Sequence, residues 1–307
     1  MVSPTDSTPR PNHICANTRA WRVHRSITRS RTRDLSKLCP SSERVMNIIV
    51  PMAGAGSRFS SAGYTLPKPL IPVNGLPMVV RAIRDLPAAE RVVFLVHADH
   101  VANFQIDQVL KHHFPTCEIV IVPGLTDGQA CTVRLAAEAF AEDTDVLVAA
   151  CDNTHVYDSE VFHRDTSSGQ WDGLVWTYRG DNRVLPKPTS YGWVGVESNG
   201  QQVTNISCKK PISEDLLNDH VVSGFFWFRS AFALFNAIDS LVASNQRINN
   251  EFYLDVVPNG MIAAGNRFGT FEVEKYIGWG TPEELRDYQR WEKYFVQQQQ
   301  MQRKHAA

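Results

Sequence analysis

Asn47-Ile-Ile-Val-Pro-Met-Ala-Gly-Ala-Gly-Ser-Arg-Phe59 decides the fold of this 307-residue chain. Four apolar residues in a short run suit a strand buried on both faces, as in a parallel sheet. The glycines that follow let backbone N–H groups approach an anion closely, because no Cβ stands in the way. A dinucleotide fold would need a third glycine to pack its helix, and Phe59 stands at that position. A Walker loop would need a lysine and hydroxyl pair, which is absent. Instead Arg58 lies inside the loop and Lys68 follows between Pro67 and Pro69. Prolines fix the local backbone, so Lys68 is held in place. Two cations beside a phosphate cradle suit transfer of a highly charged group.

Outward from the loop, strand and helix alternate. The pattern predicts a helix over 75–86, a strand over 91–96, a helix over 101–114 and a strand over 118–122. A helix over 128–140 and a strand over 145–150 follow, the latter running into Cys151-Asp152-Asn153. Such alternation predicts an α/β fold with a doubly wound sheet. Ligands then sit at the carboxyl ends of the strands, where the loops after Val50 and Ala150 lie. Strand-like stretches at 174–178, 192–196, 202–206 and 221–228 mark a β-rich second part and a mixed sheet, with Asn199-Gly200 as a hairpin turn. Helices are expected over 231–244, over 250–264 with Pro258 as a kink, and over 281–300. Thr281, Pro282, Glu283 and Glu284 form the start of the last.

Hydrophobic residues make up 43% of the chain and charged residues 21%, ordinary values for a globular protein. A net charge of −1 argues against a general nucleic-acid binder. No apolar run approaches a membrane span. The six cysteines show no metal-ligand spacing and read as thiols of a reducing compartment, so a cytoplasmic protein is expected. Residues 1–45 are rich in Ser, Thr, Pro and Arg and are expected to be disordered. They read as a dispensable basic extension, as a targeting segment, or as a stretch preceding the natural start at Met46. Residues 46–288 are then one domain, and residues 289–307 a helix end and tail.

The glycine loop, Ala62-Gly-Tyr64 and Pro67-Lys-Pro-Leu-Ile71 resemble the sugar-phosphate nucleotidyltransferases, above all their small capsule- and lipopolysaccharide-associated members. The resemblance runs from Met46 to about Tyr288. It implies a GT-A-like fold with a C-terminal acceptor-binding part. It also implies an enzyme that joins a nucleoside monophosphate from an NTP, with CTP or UTP favoured, to a sugar-1-phosphate or similar phosphorylated metabolite, releasing pyrophosphate. Ala53, Gly54, Ala55, Gly56 and Ser57 would then hold the nucleotide. Arg58 would bind the departing phosphates, Lys68 the α-phosphate, and Gly128 and Gln129 the base edge. Asp152 resembles the family's Mg2+ ligand. Magnesium takes one or two carboxylates together with substrate phosphate, which suits a lone acid at a strand end. Lys209 and Lys210 resemble the segment that grips the acceptor phosphate, either lysine serving. Gly224, in Ser223-Gly-Phe225, and Glu251, in Asn250-Glu-Phe-Tyr253, resemble the acceptor pocket.

One position departs from the pattern. Many members carry an aspartate as a second metal ligand where this chain has Gly278, in Tyr276-Ile-Gly-Trp-Gly-Thr-Pro282, and Asp255 is a weak substitute. A glycosyltransferase using a nucleotide-sugar is a rival, although Cys151-Asp-Asn-Thr154 lacks its acid-x-acid pair. A non-catalytic nucleotide sensor is another. The oligomeric state is left open, a homo-oligomer included. His97-Ala-Asp-His100 ends a strand without further ligands, which speaks against zinc.

Overall fold

A computed structural model describes residues 46–198 and 200–305; the basic extension over 1–45 and Asn199 lie outside them. In chain order the first half comprises β1 (Met46–Met52), α1 (Ser57–Ser61), β2 (Pro72–Val73), β3 (Leu76–Pro77), α2 (Met78–Ile83) and β4 (Arg91–His97). It continues with α3 (Ala98–Phe104), α4 (Ile106–His113), β5 (Glu118–Val122), α5 (Gln129–Arg134) and β6 (Asp145–Val148). The second half comprises β7 (Asn153–Val156), α6 (Ser159–Ser167), β8 (Gly173–Tyr178), β9 (Gly192–Val196), β10 (Val203–Cys208) and β11 (His220–Phe228). It closes with α7 (Ala231–Ala243), α8 (Val257–Ala263), β12 (Phe268–Glu272), β13 (Lys275–Gly278) and α9 (Pro282–His305).

Strands β5, β4, β1 and β6 lie side by side and parallel. Their side chains alternate between two cores. Ile48, Val50, Phe94, Val96 and Leu147 face one, with Val79, Val80 and Ile83 of α2 and Leu110 of α4. Ile49, Val93, Leu95, Val146 and Val148 face the other, with Val133 of α5, Leu234 and Ile238 of α7, and Met261 of α8. Each fully buried side chain of this size contributes roughly 1.5–3 kcal/mol. Helices cover both faces, so the doubly wound sheet expected from the alternation is present, and the second half makes it mixed. Antiparallel β11 joins β6, and β8 joins the other edge of β11.

β11 is the hinge between the two halves. Phe226–Phe228 pair with β6, whereas His220 and Val221 pair with β9 along the same edge. The register shifts between Val222 and Phe226, where Gly224 has φ +93°. An L-residue rarely adopts that angle, so glycine permits the bulge. The sheet forks there, and the cleft of the fork opens beside the carboxyl end of β6.

Several boundaries differ from the sequence expectation. Residues 72–77 form a small hairpin with Asn74 (φ 49°) and Gly75 (φ 74°) at its turn, so the helix expected from Gly75 begins at Met78. Asn-Gly is a hairpin signal that outweighs the apolar spacing behind it. The helix expected over 101–114 is two helices, broken at Gln105 (φ 50°). Pro258 does not kink a helix over 250–264. It lies in the first turn of α8, where the missing N–H costs nothing. The α9 start is a reciprocal capping box: Thr281 N donates to Glu284 Oε2 at 2.9 Å, and Glu284 N to Thr281 Oγ1 at 3.2 Å. Strands β7, β12 and β13 and helix α6 were not expected at all.

Candidate functional site

The glycine loop leaves β1 and turns at Gly56 (φ 61°), whose carbonyl accepts from Phe59 N at 3.0 Å. Ala53 is buried, whereas Gly54, Ala55, Ser57 and Arg58 are exposed at the strand end. A Cβ on Gly56 would lie 3.4 Å from Lys68 Cβ, so the loop and the Pro-Lys-Pro segment are in contact. Lys68 opens a single 3-10 turn between two prolines, with Pro69 buried beneath it. That anchoring points the lysine across the strand ends to Asp152, where Lys68 Nζ forms an ion pair with Oδ2. The two residues are 84 positions apart in the chain.

The electrostatics are local. Burial presses the Lys68 ammonium toward neutrality, but the charge of Asp152 and the hydrogen bond to it outweigh that, and its pKa ends above the ordinary value. Arg58 opposes that rise, which places its guanidinium near enough to act on Lys68. The Cys151 thiol is pushed up to about 12 by burial and then by Asp152, so it stays protonated and is no nucleophile. The Asp152 main chain is tied to the C-terminal part through Trp279 N, which donates to its carbonyl at 2.8 Å. Next to it, Asn153 Nδ2 donates to Ser223 O at 2.9 Å. A Cβ on Gly224 would lie 3.5 Å from Ala150 Cβ, so the fork of the sheet closes directly on the strand that presents Asp152.

Gly128 and Gln129 stand at the start of α5, with Gly128 at φ 127°. A Cβ there would come within 2.5 Å of Phe252 O, and Phe252 N donates to Asp127 O at 2.7 Å. Arg247 completes the clamp, donating to Asp127 Oδ2 at 3.0 Å with its guanidinium 4.1 Å from the centre of the Phe252 ring. Gly128 is therefore required first by close packing of two loops.

The second group surrounds β10. Lys209 has φ 62°, an uncommon angle for a residue with a Cβ. Its ammonium donates to Ser190 O at 2.7 Å and lies 5.5 Å from the centre of the Tyr253 ring. Its charge also acts on buried Asp255, whose pKa burial raises and Lys209 moderates. Lys210 is exposed, so the structure separates two lysines that sequence could not. Glu251 is exposed on a tight hairpin, not on a helix: Ile248 and Glu251 exchange backbone hydrogen bonds of 2.9 Å around Asn249 and Asn250, both at positive φ. Asp255 faces Gly192, Cys208 and Lys209, in the second group and not beside Asp152.

Tyr191 and Glu284 lie where the groups meet and were missed. The Tyr191 carbonyl accepts from Lys209 N at 3.0 Å, and the charges of Glu284, Arg183 and Arg58 all act on its hydroxyl. In the sequence Glu284 signalled only a helix start. Among the described residues, no group of three or more His, Cys, Asp or Glu side chains is placed to hold a metal, and His97 instead caps α3 by accepting from Asp99 N. No helix among them is long and apolar enough to cross a membrane.

Residues 48–183 match the family described as MobA-like NTP transferase domain. No curated protein matches the chain. Among solved structures, a nucleoside-diphosphate-sugar pyrophosphorylase from Vibrio cholerae RC9 is 23% identical, with a TM-score of 0.65, over 79% of this chain and 99% of its own. An inositol-1-phosphate CTP transferase from T. maritima is 15% identical, with a TM-score of 0.61, over 80% of this chain and 94% of its own. Both establish the fold across nearly the whole described part.

Proposed function

We infer that this chain, whose residues 48–183 match the MobA-like NTP transferase domain, works as a nucleotidyltransferase of the sugar-phosphate kind. We propose that it joins the nucleoside monophosphate of CTP or UTP to a sugar-1-phosphate or a similar phosphorylated metabolite. The observation that carries this reading is the Lys68–Asp152 pair set against the glycine loop at the ends of β1 and β6. It is a cation and an anion held ready at one point. Both similar structures are described as acting in this chemistry, one on an inositol phosphate with CTP.

In the proposed reaction an ionised oxygen of the acceptor phosphate attacks the α-phosphorus. The new O–P bond forms as the bond to the β-phosphate oxygen breaks, and pyrophosphate leaves with that electron pair. The nucleophile carries no proton to remove, so no general base is needed, and positioning and charge do the work. The backbone of Ala53–Ser57 holds the triphosphate, with Arg58 on its leaving end and Lys68 on the α-phosphate. Gln129, half-buried at the start of α5, faces the base. Lys209 holds the acceptor phosphate, with Gly224 and Glu251 lining the pocket for the rest of that molecule.

Asp152 fits a magnesium ion. It offers hard oxygen, it already balances a cation, and Gly280 keeps space open next to its carboxylate, since a Cβ there would lie 3.1 Å from Oδ2. Bound there, magnesium would neutralise phosphate charge.

Pyrophosphate release tests the proposal, with each of CTP, UTP, dTTP, GTP and ATP against sugar-1-phosphates and other phosphorylated metabolites, with and without magnesium. Metal-dependent release with CTP or UTP and one acceptor is the expected result. Release with no pair, although nucleotides bind, would favour a sensor.

A further inference from the structure

The chain has glycine where its relatives' pattern supplies a second acid, yet a second acid is present. Gly280 shows where. A Cβ on that residue would lie 3.1 Å from Asp152 Oδ2 and 3.5 Å from Glu284 Oε2, so the missing side chain leaves a gap bracketed by two carboxylates. The gap is fixed from both sides. Trp279 N holds the Asp152 main chain, and the capping box of α9 holds the Glu284 side chain through Oε2. Among the described residues no hydrogen bond reaches Glu284 Oε1.

We infer that Glu284 is the second carboxylate of the divalent-cation site, taking the part that Gly278 cannot. The inference rests on the reading of Asp152 given above. A Cβ on Gly278 would meet the Tyr276 ring at 2.8 Å, so that ring would have to move before a side chain could stand there. The acid is supplied instead from the first turn of α9, six positions later. A capping residue is suited to this: the Thr281 bonds to Oε2 hold the carboxylate beside the gap, and its second oxygen, Oε1, keeps its lone pairs for a cation. Magnesium needs only one or two carboxylates beside its waters and phosphate.

The test is binding of Mn2+ alone to the full chain, followed by the electron paramagnetic resonance of the free ion. Glu284→Gln removes the charge but keeps the capping box, since glutamine serves there too. Its thermal midpoint should therefore match that of the wild type. Glu284→Gln is expected to weaken Mn2+ binding about tenfold, a typical loss for a weakened metal shell. Asp152→Asn should weaken it further, and Gly280→Ala, which fills the gap, should also weaken it. Wild-type affinity in Glu284→Gln, with Asp152→Asn weakened, would overturn the role of Glu284 and leave Asp152 standing. A wild-type chain that takes up no Mn2+ would overturn both.

Discussion

The two halves of the cleft are built by different means. The proposed nucleotide side, from Gly54 to Lys68 with Asp152, is made of short contiguous motifs at the ends of parallel strands. Parallel β1 and β6 deliver their following loops to the same edge without further help. The proposed acceptor side is gathered from residues 190–192, 208–209, 223–224 and 251–255. Its shape depends on left-handed backbone at Lys209, Gly224, Asn249 and Asn250. The lesson is that strand topology brings the loops of the first half to one edge, with Gly56 and two prolines setting their local shape, whereas left-handed backbone and loop packing assemble the second.

The sharpest way to break this contrast is at the ion pair. Lys68→Ala or Asp152→Ala should each lower turnover by about 10²-fold or more with the fold retained, as for other groups aimed at developing charge. Steady-state kinetics beside a circular dichroism spectrum checks it, and near-normal turnover in both would remove the site. On the acceptor side, Lys209→Ala should raise the acceptor KM by about 10- to 100-fold, the loss of one charge-assisted contact. Lys210→Ala should change it little, and the reverse ranking would reassign the acceptor lysine.

Between the halves, Gly128→Ala should destabilise the protein by about 1–3 kcal/mol through overpacking against the Phe252 backbone. A thermal or denaturant midpoint equal to that of the wild type would show that the loops give way. The smallest effect expected is a dependence on pH. Lys68 is raised above 10.5 in the folded protein, so its stabilising contribution is full below that value and fades as pH rises through the folded one. The stability difference between the wild type and Lys68→Met should therefore be constant from neutral pH to about pH 10 and shrink above it. A difference already shrinking at pH 8 would contradict the pairing.

The same contrast explains what was legible in the sequence. Apolar runs such as Asn47–Pro51 and Glu118–Val122 gave strands almost to the residue: β1 is buried along nearly its whole length, and β5, half-buried at the sheet edge, still carries an unbroken apolar run over Ile119–Val122. The Asn74-Gly75 hairpin carried a signal that the helical spacing of its neighbours masked. Strands β7 and β13 were hidden because Asn153–Val156 and Lys275–Gly278 make sense only when paired with each other, and β12 because Phe268–Glu272 pairs with the distant β8. Arg58, Lys68 and Asp152 could be picked out by motif. The difference between Lys209 and Lys210 could not, since it rests on the fold that ties the Lys209 ammonium to Ser190 O and leaves Lys210 exposed, and Glu284 reads in the sequence only as a cap of α9.

The central claim is that the two halves meet at one phosphoryl centre, and the bond formed there tests it most directly. The 31P spectrum of the product from CTP or UTP and a phosphorylated acceptor should show two coupled resonances, those of a new diphosphate bridge, together with free pyrophosphate. Release of a nucleoside diphosphate from a nucleotide-sugar, with no bridged product from any NTP, would contradict the account and make the protein a glycosyltransferase.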